Sequence, residues 1–162
     1  MIVRLSKCAL LLAVAFFFTL VVFNNTTDYN SNYQFVHHVL SMDTTFPGNH
    51  GMWRSLPYPG LQTTFYAGII SWETVIGALS WWGAIRLLRN LQSPSAVFQQ
   101  AKSISIAGLT LGCLLWFVAF ISVGGEWFLM WQSKTWNGQD AAFRMFTVLS
   151  LILIYTSAPE HE

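Results

Sequence analysis

Long apolar runs separated by short polar links constrain this chain more than any other feature. The first, CALLLAVAFFFTLVVF from Cys8 to Phe23, has Thr19 as its only polar member and follows Arg4 and Lys7. Extended back to residue 3 it reaches about 20 residues, the length an α-helix needs to cross a hydrocarbon core of about 30 Å. It exceeds the roughly 7 to 15 apolar residues of a secretory signal, and Asn24, Asn25 and Thr26 offer no small-residue cleavage site. The sequence therefore favours a retained transmembrane helix over a signal peptide.

A second run, Leu61 to Leu88, starts after Pro59 and Gly60 and ends among Arg86 and Arg89. A third starts at Ser103 and reaches Trp127, with Gly124 and Gly125 able to admit a kink. The fourth, Gly138 to Ser157, stops before Pro159 and has Asn137 as candidate N-cap with Asp140 three residues on. Spans at about 3–23, 61–88, 103–127 and 138–157 predict one all-α integral membrane domain. Its expected architecture is an antiparallel bundle of four transmembrane helices with a large extracytoplasmic loop between helices 1 and 2. In that loop, residues 24–60, Phe35, Val36, Val39, Leu40 and Met42 recur at helical spacing. The spacing suits an amphipathic interfacial helix, and an irregular aromatic loop suits the composition equally.

Charge is scarce. Asp, Glu, Lys and Arg make up 9% of the chain, where soluble domains average about 25%. A net charge of +1 leaves no footprint for nucleic acid. Arg4, Lys7, Arg86, Arg89 and Lys102 outnumber Arg54, Lys134 and Arg144 across the two sides, so both termini are expected to be cytoplasmic. Trp53, Trp127, Trp131 and Trp136 then fall on the outer side as an aromatic belt. Cys8 and Cys113 lie inside apolar runs, which gives neither a disulfide framework nor a CxxC motif. Cys8 also precedes its apolar run, where a lipoprotein cysteine would follow one.

Charges inside spans are costly and point to function. Glu73, Glu126 and Arg144 are the three here. Glu73 shares a helical face with Tyr66, Gly77, Ser80 and Ala84, opposite Val75, Leu79 and Trp82. Ser105, Gly108, Gly112, Ala119, Ser122 and Glu126 form a small-residue seam on the third span. From the outer ends, Arg144 lies about 9 Å deep, Glu126 about 12 Å and Glu73 about 18 Å, so a Glu126, Arg144, Glu73 cluster is expected. Such a cluster would fix helix register as a buried ion pair or, with a protonatable Glu73, carry protons or ions.

Histidine occurs at 37, 38, 50 and 161, all outside the spans, so no imidazole-ligated haem is expected within the membrane, and no cofactor is. His37, His38, His50 and Asp43 are metal-ligand types. Neighbouring histidines on a helix point about 100° apart, which disfavours a shared metal, and interfacial hydrogen bonding is the simpler role. No GxSxG or HExxH motif occurs, and an enzyme is not expected.

The stretches HVLSMDTTFP at 38–47, SWE at 71–73, and GEWFLMWQS, WNGQ and AFR between 125 and 144 resemble the bacterial family of predicted small integral membrane proteins termed domain of unknown function DUF2165. The resemblance runs over the whole chain and implies a bacterial cytoplasmic-membrane protein. It implies no activity, cofactor or catalytic residue. The expected role is a non-enzymatic accessory component associating with itself or a larger membrane complex. A small proton or ion transporter using Glu73 with Arg144 and Glu126 is the alternative.

Overall fold

The computed structural model describes residues 1–160, and among them every regular element is helical. Helix α1 covers Ile2–Thr27, α2 Tyr29–Ser41, α3 Pro59–Arg89, α4 Ser95–Ala101, α5 Ser103–Leu114 and α6 Gln139–Ser157. Helix α5 passes without a break into a π-helix, Leu115–Trp127, and short 3-10 turns occupy His50–Arg54 and Met130–Gln132. Among the described residues, three helical stretches are long and apolar enough to cross a membrane: Ile2–Thr27, Ser95–Trp127 and Gln139–Ser157. Helix α3, at 31 residues or about 46 Å, is long enough, but Glu73 and its many Trp, Ser, Thr and Gly residues dilute its apolarity below theirs.

Helix α1 packs along α3, α3 on α5, and α5 with the π-helix on α6, while α1 also touches α6. Arg4 bonding to Leu91 at one end of the α1 and α3 pair, and Asn25 bonding to Glu73 further along, show the two helices running antiparallel. Tyr66, Glu73, Gly77, Ser80 and Ala84 of α3 are all buried, whereas Val75 and Trp82 are exposed. The seam glycines face partners in the same chain. A Cβ at Gly108 would lie 3.2 Å from Leu79, and one at Gly112 only 2.9 Å from Leu149 and 3.6 Å from Phe18. Small residues here let α1, α3, α5 and α6 approach at one level, where van der Waals contact is the main source of cohesion.

The region between α1 and α3 is more ordered than a loop of residues 24–60 would be. Helix α1 runs past its apolar segment to Thr27, the chain bends at Asp28, and α2 continues it. The amphipathic reading of α2 holds: Val36, Val39 and Leu40 are buried against Tyr66, Phe128 and Met130. Met42 ends α2 in the left-handed conformation with φ 54°, and Leu56 returns to it by donating to the Leu40 carbonyl at 2.7 Å. At α6 the N-cap position is Gly138, one residue after the expected Asn137, whose Oδ1 accepts the Gln139 N–H at 3.0 Å.

Candidate functional site

Glu73 lies midway along α3, yet level with the polar end of α1. Trp81 donates to Thr19 Oγ1 at 3.0 Å, and two turns further along α3 the Glu73 carboxylate accepts from Asn25 Nδ2 at 2.7 Å. Two turns beyond lies Tyr66, whose hydroxyl donates to the Asn25 carbonyl at 3.1 Å. The apolar run of α1 ends at Phe23, so the carboxylate meets the first polar turn beyond it.

That carboxylate is 2% exposed and lines a cavity of about 290 Å³ between α1, α2, α3, the π-helix and the start of α6. Asn25, Asn32 and Tyr66 supply its other polar groups, and Phe35, Trp116 and Phe120 its aromatic wall. Trp116 Nε1 is buried without a hydrogen-bond partner, as is Trp72 Nε1. Phe35, Val36, Ile69 and Phe120 also line an apolar groove of about 430 Å³ that runs beside the cavity. Further along α1 and α3, away from the cavity, Phe18, Ile76, Leu109 and Leu149 are buried together in one apolar cluster.

The expected three-residue cluster does not form. Glu126 and Arg144 are both exposed, and the Arg144 Nε donates only to the Asp140 carbonyl one turn earlier. None of the ion pairs among the described residues involves Glu73, Glu126 or Arg144. For Glu126 the π register is the reason, because matching depth says nothing about azimuth once thirteen residues take i→i+5 bonding, while Arg144 lies on an exposed face of the regular helix α6. The same change splits the seam. Gly108 and Gly112 are buried, whereas Ala119 lies half-buried on the apolar groove and Ser122 turns back on the Phe117 carbonyl, five residues earlier.

Of the four tryptophans expected at the interface, Trp53 and Trp127 meet at Arg54. Trp53 and Trp127 meet edge to face at 5.7 Å, with the Arg54 guanidinium 5.4 and 5.1 Å from their rings. Arg54 Nη1 also donates to the Glu126 and Trp127 carbonyls, closing the end of the π-helix, where a cation is favoured. Trp131 packs against Phe46, and Trp136 stacks on His38.

A family model for predicted small integral membrane proteins (DUF2165) matches residues 3–159. The chain belongs to that family. No curated protein and no solved structure matches it.

In this family member two arrangements escape the sequence reading. At the end where α1 starts and α6 finishes, Lys7 and Lys102, 1% and 0% exposed, both donate to Glu160 Oε1 at 2.6 Å and to the Ala158 carbonyl at 3.0 and 2.7 Å. Arg4 joins at 3.5 Å and bonds the Leu91 and Ser93 carbonyls. Burial pushes the Glu160 carboxyl up, and hydrogen bonds from Lys102 and Lys7 outweigh it, bringing it down to about 2. Chain separations such as the 153 residues between Lys7 and Glu160 hide this cluster from any local pattern. The second arrangement is around α2, where one ligating atom each from His37, His38 and Asp43 lies within 4.8 Å of the others. The expected 100° divergence is overcome because the two rings sit edge to face, centroids 5.0 Å apart, and the turn at Met42 folds Asp43 back under His38. His161 lies outside the described residues.

Proposed function

We propose that this chain is a four-span protein of the bacterial cytoplasmic membrane, with α3 as the additional span, that takes up a proton or a small cation at Glu73. Both termini are cytoplasmic in this reading, so α2 and the 42–58 loop face outward and the Glu73 cavity is reached from outside. The reading rests on one observation: a buried carboxylate that lines a cavity and has no cationic partner among the described ion pairs. Burying a charge without a counter-charge is costly, and a proton or cation entering the cavity supplies one. Asn25 holds one carboxylate oxygen and leaves the other to the cavity. The arrangement contains no nucleophile and base pair, and the proposed role is non-enzymatic.

Between the cavity and the ionic end lies the apolar cluster of Phe18, Ile76, Leu109 and Leu149, which in this reading closes the path. Reconstitution into liposomes with a pH-sensitive dye and an imposed ion gradient tests the proposal. Wild type should move protons or a monovalent cation, and Glu73→Gln should abolish that flux while leaving the folded protein intact. Equal flux in both proteins overturns the reading. Absence of flux, with a stoichiometric partner recovered after gentle detergent extraction, would instead return the protein to an accessory role in a larger complex.

A further inference from the structure

We infer that His37, His38 and Asp43 form a binding site for one divalent transition metal of the zinc and copper type, on the α2 side of the molecule. It shares no residue with the Glu73 cavity and stands independently of the function proposed above. Its three potential ligand atoms lie within 4.8 Å of one another. Tetrahedral ligands at about 2.1 Å from zinc are about 3.4 Å apart, so closure by about 1.4 Å completes the geometry. His38 and Asp43 have side chains 26% and 42% exposed, and side-chain rotation can supply that closure.

The surroundings are built as those of a ligand set. Gln62 is fully buried, and its Nε2 donates to the Leu56 carbonyl at 2.8 Å and to Ser41 Oγ at 2.9 Å. A carbonyl only accepts, which fixes the orientation of the amide and aims Oε1 at His37 Nδ1, 2.7 Å away. His37 Nδ1 is therefore the donor in this bond, which leaves Nε2 as the ring nitrogen open to a metal ion. Metal-binding histidines are held in this way by a second hydrogen bond from their other nitrogen. The His38 ring lies flat on Trp136, centroids 4.6 Å apart, and its Nδ1 contacts Asp43 Oδ2 at 2.8 Å. A dication entering between these two atoms replaces the proton they share. Two imidazoles and one carboxylate, with a fourth position left to water, suit zinc or copper and not the all-oxygen preference of magnesium or calcium.

Calorimetric titration of the tag-free, full-length protein in detergent with zinc chloride tests the site. Wild type should bind one zinc ion per chain. Asp43→Asn, an exposed change that leaves the fold intact, should weaken binding at least tenfold, and His38→Ala should weaken it further. His50→Ala, which alters an exposed histidine outside the cluster, should bind as wild type does. No saturable binding by wild type, or equal loss in Asp43→Asn and His50→Ala, would overturn the inference. X-ray absorption at the zinc edge should show mixed nitrogen and oxygen ligation, and an all-oxygen shell would also overturn it.

Discussion

Replacing Glu160 with Gln removes the only carboxylate among the described residues that meets Lys7 and Lys102. Both ammonium groups are buried, and each loses a charge-assisted bond of 2.6 Å while keeping its bond to the Ala158 carbonyl. Breaking a buried pair by removing one partner costs roughly 3 to 5 kcal/mol, and the retained carbonyl bonds place this case at the lower end, about 3 kcal/mol. Such a loss lowers the folding equilibrium constant by a factor on the order of 100. Thermal unfolding of the detergent-solubilised protein, followed by circular dichroism, reads the change. The pH dependence has a defined sign. The folded carboxyl, at about 2, lies below the usual range near 4.5, so its stabilisation is present in full above about pH 4.5. It is lost as pH falls from there towards 2, and Glu160→Gln should lack that acid-side decline. A double-mutant cycle with Lys7→Met separates coupling from general loss, since the two changes together should cost less than their sum. If Glu160→Gln unfolds within about 0.5 kcal/mol of wild type, the buried lysines do not depend on this carboxylate and the argument fails.

Gly112→Val forces a side chain against Leu149 and Phe18, whose nearest atoms lie 2.9 and 3.6 Å from a Cβ at that position. Overpacking of this kind should cost about 1 to 3 kcal/mol, visible as a lower unfolding temperature, whereas Gly68→Ala, open on all sides, should cost far less. Arg54→Ala removes the cation at the end of the π-helix and its contact with two indoles, for a combined loss of about 1 to 2 kcal/mol. Tryptophan fluorescence should shift as Trp53 and Trp127 separate, and an unchanged spectrum with unchanged stability would count against that role.

The buried face of α3 was legible because it depends on periodicity alone: Tyr66, Glu73, Gly77, Ser80 and Ala84 recur at helical spacing and bury as a set. The amphipathic α2 was legible for the same reason, although its register beside α3 depends on Gln62, whose polar side chain gives no sign that it will be fully buried. What failed was inference from depth. Glu126 and Arg144 lie at similar heights, but the switch at Leu115 to π bonding has no marker in LTLGCLLWFV, since neither proline nor a glycine pair occurs there. A change of helical register rotates every later side chain, so Glu126 turns outward and Trp116 and Phe120 reach the Glu73 cavity. Charges counted by loop also lost their meaning in space. Lys7, Lys102 and Glu160 belong to three separate segments, and only tertiary packing makes them one group.

The two ends of the molecule therefore differ in kind, and the difference bears on how Glu73 could serve transport. One end is tied shut by Lys7, Lys102 and Arg4 converging on Glu160, which joins the first helix, the fifth and the tail after the sixth. Around Glu73, by contrast, the packing leaves an open volume of about 290 Å³ bounded by single hydrogen bonds from Asn25 and Tyr66. Between them stands the layer where a Cβ at Gly77 would touch Phe18 at 3.4 Å and one at Gly112 would press on Leu149. Packing of this tightness resists gradual deformation, so under the proposed uptake at Glu73 a solute would cross only if α1 shifted as a unit against α3. The bonds opposing that shift include those at the ionic end. If the proposed transport role holds, release of Glu160 and passage beyond Glu73 are one motion, and loss of the Glu160 charge should raise the liposome flux of the protein with Glu73 intact even as it lowers stability.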